Sequence, residues 1–246
     1  MKIIFKILRA SALAAAIVFS MAACETGNND NDNDTDGPTH YSGAFKISKE
    51  QVWQGTGSNK LSELYEKFDG DSEISVNVYS PTGDGKYNPT KVLGTGKIEK
   101  GLLTCDVPEP EAGDLMECDD FKSWFSGWKD VDCAPIVKGA YLGLVTSDNE
   151  RLNREKMSGS DDSLWLESIW FVYVDADCKI TGTPGEGIRP GDAFYDTPEN
   201  LDLTLKKGWN TVCRKQLLEG DHGIETDSVK IKNPNDFKWA LRPNHP

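Results

Sequence analysis

Few residues in this chain are placed to do chemistry, and most of them have a plainer role beside the chemical one. Asp32-Asn33-Asp34-Thr35-Asp36-Gly37 offers alternate oxygens followed by a glycine, the first half of a calcium loop in which side chains converge on one hard cation. The closing position, where such a loop carries a bidentate Glu, is Gly43, and Pro38 follows the glycine, so the stretch reads as a solvated acidic spacer rather than a metal site. Beyond Cys24 stand Cys105, Cys118, Cys133, Cys178 and Cys213, with no C-x-x-C spacing of a zinc or redox site. In an oxidising compartment this odd set allows at most two bridges and leaves one thiol over. Cys178 falls on the inward parity of an expected long strand and Cys213 in the hairpin after it, which makes Cys178–Cys213 the first disulfide to expect. The plain alternative is that all five are small buried hydrophobes.

Seven tryptophans are the other resource. Trp124, Trp128 and Trp165 are the candidates for a ligand platform, because flat aromatic faces on a β-sheet suit sugar rings; aromatics at helical spacing are more often core. The acid pairs Asp119-Asp120, Asp161-Asp162 and Asp175/Asp177 would serve glycoside hydrolysis only if two carboxyls met about 5–10 Å apart. His40, His222 and His245 are the only histidines, and no nucleophile elbow, zinc helix, phosphate loop or dinucleotide fingerprint is present. The residues therefore point to no catalytic set, no cofactor and no metal, and to a non-catalytic binding, adhesion or structural role. A surface glycan-binding protein or a glycoside hydrolase-like enzyme is the rival reading.

Composition narrows the class further. Of 246 residues, 40 are acidic and 27 basic, a net charge of −13, which argues against nucleic acid as a partner. The N-terminal 23 residues carry Lys2, Lys6 and Arg9, then an apolar run from Ala10 to Ala23 broken only by Ser11 and Ser20. A basic start, a short apolar core and small exit residues describe a secretory signal peptide. The run is short of the roughly 20 residues that a membrane-spanning helix needs.

Met21-Ala22-Ala23-Cys24 closes that segment and resembles the lipobox of bacterial lipoproteins, with Met21 standing where Leu is usual. The resemblance implies that residues 1–23 are removed and that Cys24 is lipidated, so that the partner is the membrane itself. A signal peptide with an incidental cysteine is the plain alternative. Residues 24–41 then form a lipidated cysteine and an acidic tether: 25–41 hold five acids, no base and no aliphatic side chain, so they have nothing to bury and would span roughly 20–25 Å as a coil. Glu25 after the cysteine resembles the sorting signal for the outer membrane, and the acidic run resembles a surface-export signal. The expected location is the cell envelope, on the periplasmic or surface face of the outer membrane, with a protein or glycan partner.

Residues 42–246 read as one mainly β ectodomain, an antiparallel β-sandwich or barrel with one or two short helices. Short β-branched or aromatic runs separated by Gly, Pro, Asn and Asp predict strands over 44–53, 74–80, 92–99, 102–107, 136–146, 164–180, 201–206, 209–214, 227–232 and 237–241. The longest, 164–180, is apolar at nearly every even position and covered near its middle on the odd face, as a central strand would be. Residues 201–214 alternate about a 206–208 turn and predict a hairpin. Leu61, Leu64, Tyr65 and Phe68 predict one short helix; Cys118, Phe121, Trp124, Phe125 and Trp128 predict another. The order of residues 79–83, 94–98, 203–210 and 238–241 resembles β-rich envelope lipoproteins of bacteria, which imply a β-rich module and carry over no catalytic residue.

Overall fold

Apolar residues in period 2 become strands here, and the computed structural model is mainly β. It describes residues 39–56, 61–81, 87–125, 128–160, 163–184, 200–219 and 223–242. In chain order the first strands are β1 (His40–Tyr41), β2 (Phe45–Gly55), β3 (Tyr65–Lys67), β4 (Ser72–Pro81), β5 (Tyr87–Glu99) and β6 (Leu102–Val107). A short helix, α1 (Cys118–Lys122), precedes β7 (Trp128–Ala134), β8 (Gly139–Thr146), β9 (Arg151–Ser160), β10 (Ser163–Val174) and β11 (Cys178–Pro184). β12 (Leu201–Leu205), β13 (Gly208–Glu219), β14 (Gly223–Ile231) and β15 (Lys238–Arg242) complete the set.

Eight of these strands close into a barrel in the order β10-β8-β4-β5-β6-β2-β15-β9, with β9 returning to β10. The barrel ladders are antiparallel except β15 with β2, which run parallel with Trp239 opposite Val52. β13 extends the wall beyond β10 and pairs also with β1 and β14. The remaining strands form a separate sheet, β12-β11-β7, apart from β3, which pairs with β2.

Alternation decides what fills the barrel. Ile74, Val76 and Val78 of β4 and Leu103, Cys105 and Val107 of β6 belong to one buried cluster, the barrel interior. β10 serves two cores. Ile169, Phe171 and Tyr173 join the interior, whereas Val172 and Val174 on the opposite face meet Phe121, Ile180 and Leu203 in a second buried cluster under the small sheet. Each large apolar side chain buried this way contributes about 1.5–3 kcal/mol.

Two expected elements are replaced by corners. Residues 164–180 are two strands, because the chain turns at Asp175-Ala176-Asp177. Asp175 Oδ1 accepts the Lys138 N–H at 2.9 Å. Asp177 Oδ1 accepts the Lys207 N–H at 2.8 Å, and its other oxygen pairs with Lys206 at 3.1 Å. The 201–214 hairpin does not form either: β12 pairs with β11, and β13 with β10. The turn between them carries the chain from one sheet to the other. Gly208 sits at φ +110°, where a Cβ would meet the Tyr41 carbonyl oxygen at 2.3 Å. Asn210 accepts the Lys206 N–H at 2.9 Å and donates to the carbonyls of Lys206 at 2.8 Å and Gly208 at 3.0 Å.

The expected helices shrink for lack of length. The first is a 3-10 turn, Leu61–Glu63, after which Tyr65–Lys67 adds to β2 as β3. The second ends at Lys122, continues as the 3-10 turn Ser123–Phe125, and gives Trp128 to β7. The strand expected from residue 136 begins at Gly139, leaving Ile136 82% exposed.

Asn210→Ala removes a buried side chain that bonds three backbone groups of the turn and, at 3.4 Å, the Val172 carbonyl. It should lower stability by about 2–3 kcal/mol in urea unfolding with the far-UV spectrum retained. A loss below about 0.5 kcal/mol would mean that the corner is held by something else.

Candidate functional site

The barrel wall opens where β9 changes partner. β8 and β9 leave their connecting turn as a ladder, Val145 opposite Arg151 and Leu144 opposite Leu152. β9 then pairs with β10 from Arg154 opposite Ile169 onward, while β10 meets β8 only from Val172 opposite Tyr141. Leu142 and Gly143 of β8, Asn153 of β9, and Trp170 and Phe171 of β10 therefore border a gap among three ladders. A cavity of about 200 Å³ lies there. A dry cavity of roughly 150 Å³ accommodates benzene, so this one is the size of a single substituted ring.

Its lining comes from both faces of the wall. Leu142, Leu144, Leu152, Ile169, Phe171 and Trp239 belong with the barrel interior. Tyr79, Trp124, Tyr141 and Trp170 belong with the outer cluster, and Arg151 and Asn153 share the outer parity of β9. The cavity is thus lined from both faces of the wall, by mixed aliphatic and aromatic side chains with Arg154 on the inner face and by aromatic side chains with Arg151 and Asn153 on the outer.

The outer end is built by close approach. Tyr79 lies over Gly143, where a Cβ would sit 1.7 Å from its ring, so only glycine admits the ring there. The Arg151 guanidinium lies 5.7 Å from the Tyr79 ring centre. Burial pushes the Tyr79 phenol up, and Arg151 offsets part of that rise. Trp124 arrives from the 3-10 turn after α1, a turn anchored by the buried Phe121 and Phe125. It stacks on Tyr141 at 3.3 Å between ring centres and 8° between planes, and meets Trp170 edge-on at 5.5 Å. Tyr141 in turn donates its hydroxyl to the Phe121 carbonyl at 3.2 Å. The Arg214 guanidinium lies 5.3 Å from the Trp170 ring.

A bulge builds the inner end. The β2–β6 register shifts between Ser48 and Glu50, with Lys49 at φ 56°, which reverses the strand's parity and brings Glu50 to the same side as Val52. Glu50 Oε2 receives the Arg154 Nη1–H and, at 3.1 Å, the Trp239 indole N–H. Arg154, itself buried, also donates Nε–H to the Pro234 carbonyl at 2.9 Å and lies 5.1 Å from the Trp239 ring. Its charge is therefore matched inside the protein.

The sequence-expected residues distribute unevenly over this geometry. Of the platform candidates only Trp124 lines the cavity; Trp128 is 7% exposed in the second core, and Trp165 carries the Lys215 ammonium at 4.0 Å. Cys178 and Cys213 are not joined, and all five described cysteines are free and buried. The corner at 175–177 sends Cys178 into the second core beside Cys133, whereas Cys213 lies in the barrel core with its Sγ 3.8 Å from Glu167 Oε2. Asp119 pairs with Lys122 at 3.0 Å, and Asp175 and Asp177 hold corners. The Lys207 N–H and the Lys206 ammonium keep the Asp177 carboxyl below its usual range. Cys24, the Asp32–Gly37 motif, Asp161 and Asp162 lie outside the described residues. Among the described residues, no group of three or more His, Cys, Asp or Glu is placed to hold a metal ion.

Tyr79, Tyr141, Arg151, Trp170 and Trp239 are the site residues that sequence reasoning missed. Gly143 inside an otherwise apolar strand was the available signal, since an isolated strand glycine marks a close approach. Compared with known proteins, the chain matches no family model, no curated protein and no solved structure.

Gly143→Ala should displace the Tyr79 ring and cost about 1–3 kcal/mol. Adding Tyr79→Ala removes the collision, so the double variant should lose less than the sum of the two single losses; strict additivity would contradict the contact. The thiols give a pH test. Burial pushes Cys105, Cys178 and Cys213 up to about 12, whereas an unfolded thiol titrates near ~8.5. Between those values the folded chain holds protons that the unfolded chain has released. Stability should therefore be full below about pH 8.5 and fall as pH rises, by up to about 1.4 kcal/mol per thiol per pH unit. Urea midpoints across that range should decline, and less steeply in Cys213→Ala; a flat profile would contradict the burial.

Proposed function

We propose that this chain is a bacterial envelope lipoprotein, held to the membrane by lipid on Cys24, whose barrel binds a small ring-bearing ligand without transforming it. The observation that carries the binding reading is the cavity in the wall, ring-sized and lined by Tyr79, Trp124, Tyr141 and Trp170 outside and by aliphatic side chains, Phe171 and Trp239 inside. Ligand sites of small molecules are concave and mostly apolar with a few placed polar groups, and this lining fits that description. Among the described lining residues the charged groups are Arg151 and Arg154, with Arg154 already paired to Glu50, and none is a carboxylate, whereas glycosidic cleavage needs two. A sugar ring is the second reading, favoured by the aromatic faces beside the exposed Asn153.

The anchor rests on the order of residues 1–24: basic start, apolar core, small residues, cysteine. No helix among the described residues is long and apolar enough to cross a membrane. One acyl chain binds only marginally and two or more bind durably, at about 0.8 kcal/mol per buried methylene.

Cys24→Ser should abolish lipid labelling and release the chain from membranes washed with carbonate; retention of the variant would contradict the anchor. A single-ring fragment panel should include compounds that raise the melting temperature of the full chain by roughly several degrees at saturating concentration. Leu142→Trp, which fills the cavity, should remove that rise. An undiminished rise in the filled variant would place binding elsewhere.

A further inference from the structure

Both charged side chains of the cavity lining are engaged within the protein, Arg154 with Glu50 and the Pro234 carbonyl, Arg151 with the Tyr79 ring. The Tyr141 hydroxyl and the Trp239 indole N–H are bonded too, to the Phe121 carbonyl and to Glu50. Asn153 differs. It is exposed, it lines the cavity, and its carboxamide makes no hydrogen bond among the described residues. It also stands at the gap itself, across which Leu142 and Gly143 of β8 and Trp170 and Phe171 of β10 have no ladder partner. Successive strand residues turn their N–H and C=O to alternate neighbours, so one residue of each pair directs a peptide donor and acceptor into the gap. What the cavity holds out to a ligand is therefore uncharged: flat apolar walls, peptide groups at the gap and a carboxamide.

From these placements we propose that the ligand is an uncharged planar heterocycle with a cyclic amide edge, an N–H beside a C=O, its ring in the wall cavity and that edge on the Asn153 carboxamide. This rests on the reading of the cavity as a binding site. The ring follows from size and lining: about 200 Å³ bounded by aromatic and aliphatic side chains. The edge follows from the carboxamide, which presents an N–H donor beside a C=O acceptor in one plane. A ring carrying the complementary pair closes two parallel hydrogen bonds with it, as Asn does on the edge of adenine. Lactams and pyrimidine bases have such an edge; a sugar, with hydroxyls around a puckered ring, does not. Neutrality follows from the surroundings. The net charge of −13 disfavours anions at long range, and a cation would find no carboxylate among the described lining residues.

Four probes separate the parts of the proposal when titrated into the full lipidated chain in detergent and followed by ligand-observed NMR. 2-Pyridone carries ring and edge, N-methyl-2-pyridone the ring and carbonyl without the N–H, acetamide the edge without the ring, and methyl glucoside a sugar ring. 2-Pyridone should bind about ten-fold more tightly than N-methyl-2-pyridone, the scale that one or two net hydrogen bonds supply. Acetamide and methyl glucoside should give no saturable signal. Asn153→Leu, which keeps the size of the side chain and loses its amide, should bring the two pyridones to within about two-fold of each other. Asn153→Gln, which keeps the carboxamide on a longer stem, should retain an intermediate preference and guards against a general effect of the substitution. Equal binding of the two pyridones in the unaltered chain would overturn the amide edge and leave the cavity reading intact. A preference undiminished in Asn153→Leu would overturn Asn153 as the partner of that edge. Binding of the glucoside but of neither pyridone would overturn the amide class in favour of a sugar, and binding of no probe would overturn the cavity reading as well.

Discussion

β9 has three neighbours, and the barrel depends on how it divides itself among them. Its first residues pair with β8, its later residues with β10, and Arg151–Glu155 also close the barrel onto β15. A sheet that fails to close keeps exposed edges with unpaired backbone groups. The side chain that fixes the compromise is Arg154, which ties β9 to Glu50 of β2 and lies against Trp239 of β15. The Arg154 side chain is 7% exposed and that of Glu50 39%, so removing Glu50 would leave a buried guanidinium without its carboxylate, while removing Arg154 would leave a carboxylate that water reaches. Beyond Leu152, β9 keeps β15 on one edge and exchanges β8 for β10 on the other, and the gap in the wall lies at that change of partner.

The same clamp accounts for the charged side chain on the inner face of the cavity. Arg154 is satisfied by Glu50 and the Pro234 carbonyl, so its charge is consumed in closure. The inner lining is otherwise aliphatic or aromatic, with Phe171 and Trp239 stacked at 6.0 Å and 6°. The second core presses from the other side, where Phe121 and Phe125 fix the turn that delivers Trp124. Two independently packed cores therefore hold opposite ends of one cavity, and such preorganisation lowers the ordering cost of binding.

Much of the wall was legible in the sequence, because half-buried strands announce themselves by alternation. β4, β6 and β12 show it plainly, and the middle of β10 shows its double burial. β9 was not legible: RLNREKMSGS has only two large apolar side chains, and it is a strand because two neighbours and the closing β15 require one. The corners at 175–177 and 206–210 were hidden for a related reason. Asp175, Asp177 and Asn210 read as ordinary polar positions until their backbone partners, 2 to 38 residues away in sequence, are known. The expected Cys178–Cys213 pair assumed one continuous strand, and the corner put the two thiols into different cores. The cavity itself gathers residues from β4, β8, β9, β10, β15 and the turn after α1, so no local pattern encodes it.

Ring binding within the wall can be located directly through the seven tryptophans. Trp124, Trp170 and Trp239 line the cavity; Trp53, Trp128, Trp165 and Trp209 do not. With every indole replaced by 5-fluoroindole, a fluorine spectrum assigned by single Trp→Phe variants reports each site separately. On titrating a ring-bearing ligand, the resonances of Trp124, Trp170 and Trp239 should shift together to saturation while the other four stay in place. Saturable shifts confined to Trp128 or Trp165, or no shift at the three lining positions, would contradict it.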